Sequence, residues 1–215
     1  MGVGLRSKGL HMAAGDTALS ICSDAPLMLG AKGISSFTEG TDESSVSDRL
    51  YPNIRDQALM MYPWSFAIQK TQLAQLVTTP VSEYAYEYQL PADRLGSPRA
   101  VYNSASQNAG ARTDYRIMGG KLLTNSTIVY IDYQYSVPET EMPIWFVQLL
   151  KYLMSWHLAI PITDQVDKAG YWQTIAVGTP GDNGRGGFMR SCMNMDGMNQ
   201  PNNSINDFSL IAVRY

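Results

Sequence analysis

A chain of 215 residues is long enough for one large domain with a sizeable core, or for one domain carrying an insertion. Hydrophobic residues supply 45% of it but charged residues only 16%, against roughly 25% in ordinary soluble domains, so Ser, Thr, Asn, Gln and Tyr must cover much of the surface. A net charge of -3 argues against a protein built to grip phosphates, which needs clustered Lys and Arg.

Low charge suits a surface that ends against other subunits, the alternative being a monomer with a mildly polar exterior. Cys22 and Cys192 are too few for a disulfide framework and form no Cys-x-x-Cys metal pair, so two reduced thiols are expected. No stretch reaches the roughly 18 apolar residues that span a bilayer, and the N-terminus lacks a basic region followed by an apolar run. Arg6 stands where a myristoylation signal requires Ser or Thr. A protein made and kept in the cytosol, without membrane contact, is the expectation.

Residues 1–14 read as a flexible lead-in. A first helix starts after Asp16 or Thr17, either of which can cap it, with Leu19, Cys22 and Leu29 on one face. Pro26 predicts a kink or short break, and Gly30 or Gly33 an end. A second helix begins within Thr41-Asp42-Glu43-Ser44-Ser45, where acids suit the positive end of the helix dipole. Val46, Leu50, Ile54, Ala58 and Met61 carry it, with a kink at Pro52, to Pro63.

From Trp64 the period changes. Tyr84, Tyr86, Tyr88 and Leu90 alternate with polar or small residues, and Val129, Ile131, Tyr133 and Tyr135 do so again. Between them Gly119-Gly120 joins Tyr115 to Met118 with Lys121 to Leu123 as a tight hairpin. Several antiparallel strands in a small sheet or sandwich follow from this.

At Glu141 the helical period returns, with Ile144, Val147, Leu150, Met154 and Leu158 on one face and Phe146, Leu149 and Leu153 beside it. Pro161 is expected to stop this helix, and a weaker one to run from Asp164 through Trp172 to Ala176. Beyond Val177 the Gly, Asn, Met and Pro content predicts an extended segment. The fold class is therefore α+β: an antiparallel helical bundle (residues 15–63 and 141–177) with an inserted β-rich, sandwich-like subdomain (64–140) and an extended C-terminal tail (178–215).

Chemistry is hard to find in the chain. His11 lies in the lead-in, His157 beside Trp156 reads as structural, and no nucleophile elbow or zinc-binding His pair is present. Glycines 178, 181, 184, 186 and 187 lack the Lys and Ser or Thr of a phosphate loop and read as a flexible turn. Glu39, Asp42, Glu43, Asp48, Glu139 and Glu141 flank helix starts, where capping and solvation explain them. Asn125-Ser126-Thr127 and Asn202-Asn203-Ser204 match a glycosylation pattern that means nothing without secretion. The 13 tyrosines fit three uses equally: β core and edges, a sugar-binding face, or contact with another subunit. No catalytic residue, cofactor or metal is expected.

Residues from about 190 to 215 are read as an inter-subunit docking element, packing on a neighbouring subunit or a partner protein and not on their own bundle. Met189, Met193, Met195 and Met198 lie among Asn, Gly and Asp without helical or strand period, and Asp207-Phe208-Ser209-Leu210-Ile211-Ala212-Val213 is able to add to a sheet edge. Its candidate contact residues are Met193, Met195, Met198, Phe208, Leu210, Ile211, Val213 and Arg214.

Several blocks then point to a family. Thr17-Ala18-Leu19-Ser20-Ile21-Cys22-Ser23-Asp24-Ala25, Leu27-Met28-Leu29-Gly30-Ala31 and Ile34-Ser35-Ser36-Phe37 open the series. Asp48-Arg49-Leu50-Tyr51-Pro52-Asn53-Ile54-Arg55-Asp56 and Tyr62-Pro63-Trp64-Ser65-Phe66-Ala67 continue it. Tyr88-Gln89-Leu90-Pro91 with Asp93, Arg99-Ala100-Val101-Tyr102, and Asp207-Phe208 with Leu210-Ile211-Ala212-Val213-Arg214 complete it. In this order, over most of the chain, they resemble the tail tubular protein A family of short-tailed, podovirus-type bacteriophages.

The departure lies between about 169 and 200, where relatives are helical and rich in Ala and charge. The resemblance implies a virion protein of the head-tail junction, a structural adaptor with no catalytic residues. It implies a dodecameric ring between the portal protein and a tail nozzle of the tail tubular protein B type, with a tail fibre as a further contact. DNA would pass through its channel without sequence-specific binding, and a neutral to acidic lumen is expected. The alternative from another class is a tail-associated carbohydrate-binding module or envelope-degrading enzyme.

Overall fold

Thr17 opens the first helix, α1 (Ala18–Met28), through a reciprocal cap: its hydroxyl accepts from the Ser20 amide at 3.2 Å and the Ser20 hydroxyl accepts from the Thr17 amide at 2.9 Å. The computed structural model describes residues 16–78, 80–106 and 110–198. The expected break at Pro26 does not occur. The proline sits in the last turn, where the one donor it lacks ends little further helix, and the chain stops normally at Leu29 with Gly30 at φ 81°.

Thr41 caps α2 (Asp42–Met60), with Asp42 and Glu43 in its first turn. This helix is also unbroken at its proline. Pro52 and Asp48, whose carbonyl loses its donor, both face solvent, so water can serve the orphaned oxygen.

α3 (Ile144–Thr163) is apolar on most sides and packs against each of the other helices. It runs past Pro161, where it was expected to stop, and ends when Asp164 turns left-handed at φ 54°. α4 (Val166–Val177) lies along it, close to the expected span.

The largest correction concerns residues 178–198 of the expected extended segment 178–215. A single 3-10 turn (Pro180–Asp182) is followed by a full helix, α5 (Gly187–Met198), in place of extended chain. Phe188, Met189, Cys192, Met193 and Asp196 recur at helical spacing and turn inward against α3 and α4. The period was hidden because one inward position is a carboxylate and because Gly187, Asn194 and Gly197 are weak helix formers. Residues beyond Met198, and the lead-in at 1–14, lie outside the described residues.

Six strands separate α2 from α3: β1 (Ile68–Gln72), β2 (Tyr86–Gln89), β3 (Ala100–Tyr102), β4 (Tyr115–Met118), β5 (Lys121–Thr124) and β6 (Tyr130–Gln134). They form two antiparallel three-stranded sheets ordered β1-β6-β3 and β2-β5-β4. The expected mixture of helices and antiparallel strands is thus what the chain adopts. Gly119 and Gly120 make the β4–β5 turn with φ 58° and 78°, values that a side chain would resist. Leu73, Tyr88, Leu90, Leu122, Ile131 and Tyr133 bury one another between the strands, and Tyr135 packs on both this cluster and the helical core.

The turn from Gly178 to Gly187 is built rather than loose. A Cβ at Gly187, where φ is 50°, would meet the Ile175 carbonyl oxygen at 2.4 Å, and one at Gly186 would meet the Asp182 side chain at 2.6 Å. The Asp182 carboxylate accepts from the Thr179 amide at 2.9 Å and hydroxyl at 2.8 Å, and pairs with Arg190 of α5 at 3.0 Å. Gly187→Ala should therefore lower unfolding free energy by about 2 kcal/mol or more, while Gly181→Ala, which meets nothing closer than 3.8 Å, should change it by under about 0.5 kcal/mol. Urea titration followed by circular dichroism measures both.

Candidate interaction surfaces

Where α5 folds back, the turn before it roofs a cleft of ≈ 180 Å³ between α2, α3 and α4. α2 contributes Ile54, Ala58 and Met61 to its walls, and α3 contributes Leu153, Trp156 and His157. Gln57, Gln173 and Thr179 are polar groups at its margin, and no charged side chain lines it. His157 stacks on Trp156 with ring centroids 4.4 Å apart and planes inclined by 26°. Burial pushes its imidazole below the ordinary value, so the ring is neutral near pH 7. It packs in this wall as a structural histidine would, and it also lines the cleft.

A second feature is the connection between β1 and β2. Val77 and Val81 are fully exposed, the most exposed large apolar side chains among the described residues. The backbone around Val77 is held in place. The Leu76 amide donates to the Glu87 carbonyl at 2.9 Å, Gln75 pairs with Tyr88, and the Thr78 hydroxyl binds the Glu87 carboxylate, which Lys121 holds from the other side at 2.9 Å.

The docking residues read from the sequence divide three ways. Met193 is partly buried on its own core, which removes it from the free surface; Met195 and Met198, 40% and 82% exposed, remain on the outer side of α5. Phe208, Leu210, Ile211, Val213 and Arg214 lie outside the described residues. Of the acidic residues assigned to helix starts, Glu39 accepts from Ser35 and Thr41, which hold its carboxyl down at about 2.

Glu139 does more than cap. It accepts from the Tyr51 hydroxyl at 3.0 Å and the Arg55 guanidinium at 3.2 Å, while Arg55 also reaches Asp56 and Ser136. This cluster ties α2 to the segment between β6 and α3. Tyr51, Tyr88 and Tyr133 are core residues, whereas Tyr171 on α4 is exposed. The cleft and the two valines were not singled out by sequence. The available signal for the valines was Val77-Thr78-Thr79-Pro80-Val81, a β-branched run that alternates with nothing.

Among the described residues no group of three or more His, Cys, Asp or Glu side chains is placed to hold a metal ion, and no helix is long and apolar enough to cross a membrane. No protein-family model matches the chain, and no curated protein matches it either.

Cys22 and Cys192 are both buried, and burial pushes each thiol from 9.0 up to about 12, with Asp48 and Glu139 adding to the effect at Cys22. The fold therefore favours the protonated thiol. That contribution is complete below pH 9, the ordinary thiol value, and is lost as pH rises from 9 through 12. Unfolding free energy should fall across this window, and Cys22→Ala should flatten the fall; denaturant titrations at a series of pH values measure it. Below pH 8 neither thiol should react with iodoacetamide until the chain is unfolded.

Proposed function

We propose that this chain is a structural virion protein of a short-tailed bacteriophage: a head-to-tail adaptor of the tail tubular protein A type. Twelve copies form a ring between the portal protein and the tail nozzle, and the ring leaves a channel through which DNA is ejected. The helices are read as one antiparallel bundle and the strands as a sandwich-like insertion into it.

One observation carries the reading. Among the described residues, several of the blocks that resemble the family supply residues on which the architecture turns. The Thr17 block is the cap and buried face of α1, and the Asp48 block supplies Tyr51, Ile54 and the Arg55 cluster. The Tyr62 block contains the fully buried Trp64, and the Tyr88 block, on the edge strand β2 and just after it, supplies the buried Tyr88 and Leu90 of the β core. A resemblance confined to exposed positions would carry far less, because such positions drift without structural consequence.

The low charge and the scarcity of reactive groups support an assembly role over a catalytic one. Residues 205–215 are proposed to complete the assembly by docking on a neighbouring subunit or on portal, with Phe208, Leu210, Ile211, Val213 and Arg214 as contacts. Met195 and Met198 are the remaining candidates on α5.

Electron microscopy of the purified chain, alone and mixed with portal protein, tests the proposal. Rings, or ring-shaped additions to the portal, are expected; a strictly monomeric particle that ignores portal overturns it. Deleting residues 205–215 should leave the unfolding midpoint unchanged and reduce incorporation onto portal and nozzle. Normal incorporation of that truncation would remove the tail from the interface.

A further inference from the structure

We propose that the cleft between α2, α3 and α4 receives Val77 and Val81 of a second copy of this chain, which makes the contact between neighbouring subunits head-to-tail. The inference deepens the ring reading and rests on it. Two unlike surfaces on the same chain carry it. One is a pair of fully exposed apolar side chains, Val77 beside backbone that is paired to β2 and Val81 four residues on. The other is an apolar recess, roofed by the glycine turn and free of charged lining.

Because Val77 and Val81 are fully exposed in their own chain, they do not occupy their own cleft. A projecting patch and a receiving patch on different parts of one molecule can pair reciprocally in a two-fold dimer or head to tail; only the head-to-tail arrangement extends to the further copies that a ring needs, closing when the rotation permits.

Charge complementarity selects the second copy as the occupant. Arg185 is exposed, follows the cleft residue Gly184 in the chain, and has no ion-pair partner among the described residues. Glu83, two residues beyond Val81, is held only by Arg116 at 3.8 Å, with both side chains at least 60% exposed and their attraction screened. Seating the valines in the neighbour's cleft offers Glu83 the unpaired Arg185 and fixes the register of the pair.

Cross-linking between singly substituted full-length chains tests this. Gln57 lies exposed at the cleft margin, and the native thiols are buried, so a Val81→Cys chain mixed with a Gln57→Cys chain should give an interchain disulfide under mild oxidation. Either chain alone should give only the background seen with the unsubstituted protein. A disulfide formed equally by Val81→Cys alone, an internal disulfide in a chain carrying both substitutions, or no link in the mixture overturns the proposal.

Independently, Val77→Asp with Val81→Asp should weaken self-association at least about tenfold without moving the unfolding midpoint. Glu83→Arg or Arg185→Glu alone should weaken it about threefold, and the two together should restore it. Failure to restore also counts against the inference. Rings that persist in the double-valine variant sink the inference and leave the adaptor reading standing. A chain that neither rings nor binds portal sinks the adaptor reading as well.

Discussion

The burial of one indole organises the molecule. Trp64 is completely enclosed, and it touches Tyr62, Phe66, Trp145 and Phe146 at centroid distances of 4.8 to 6.1 Å. Its ring nitrogen donates to the Ala58 carbonyl at 3.0 Å near the end of α2, so the side chain brings no unpaired polar group inside. Burying an indole of this kind stabilises by roughly 5 kcal/mol before ordering costs. The position matters more than the amount, because α2 ends, the strands begin and α3 passes at this one point. The carboxylate of Asp196 accepts from the amide and hydroxyl of Ser65 next door, which brings α5 to the same place.

Polar contacts then fix how helices and strands sit against each other. The Gln134 side-chain amide at the end of β6 donates to the carbonyls of Leu59 and Tyr62. Arg55, Asp56, Ser136 and Glu139 make a second tie a few residues away. Apolar packing alone would let a sheet slide over a helix with little penalty. Directional bonds to specific carbonyls do not, and they fix one arrangement of sheet against helix.

Much of this was legible in the chain because local rules and the final packing agreed. Thr17 and Thr41 have the side chains that caps require, Gly119-Gly120 has the freedom that a two-residue hairpin requires, and α3 has an apolar face too broad to mistake. Pro26, near a helix end where its cost is small, and Pro161, past which α3 continues to Thr163, did not break or stop their helices as expected. α5 was illegible because its helix is stabilised by tertiary contacts through Met189, Cys192 and Asp196, not by propensity. The cleft joins residues from three helices and a turn, and no local pattern announces a concavity assembled from positions 54 to 184.

The contacts that close the helical core are distant in sequence. The Ser155 hydroxyl meets the Ala25 carbonyl across 130 positions, Ser65 meets Asp196 across 131, and Lys168 reaches the Leu29 carbonyl across 139. During synthesis α1 and α2 must therefore emerge with their apolar faces uncovered, and they stay so until residues from 144 onward have left the ribosome. Non-local closure of this kind slows folding even when the final state is secure, and the waiting intermediate exposes the surfaces that aggregate. A cell expressing the chain would feel that burden as a demand on chaperones, set by the order of the elements along the chain rather than by the stability of the finished fold.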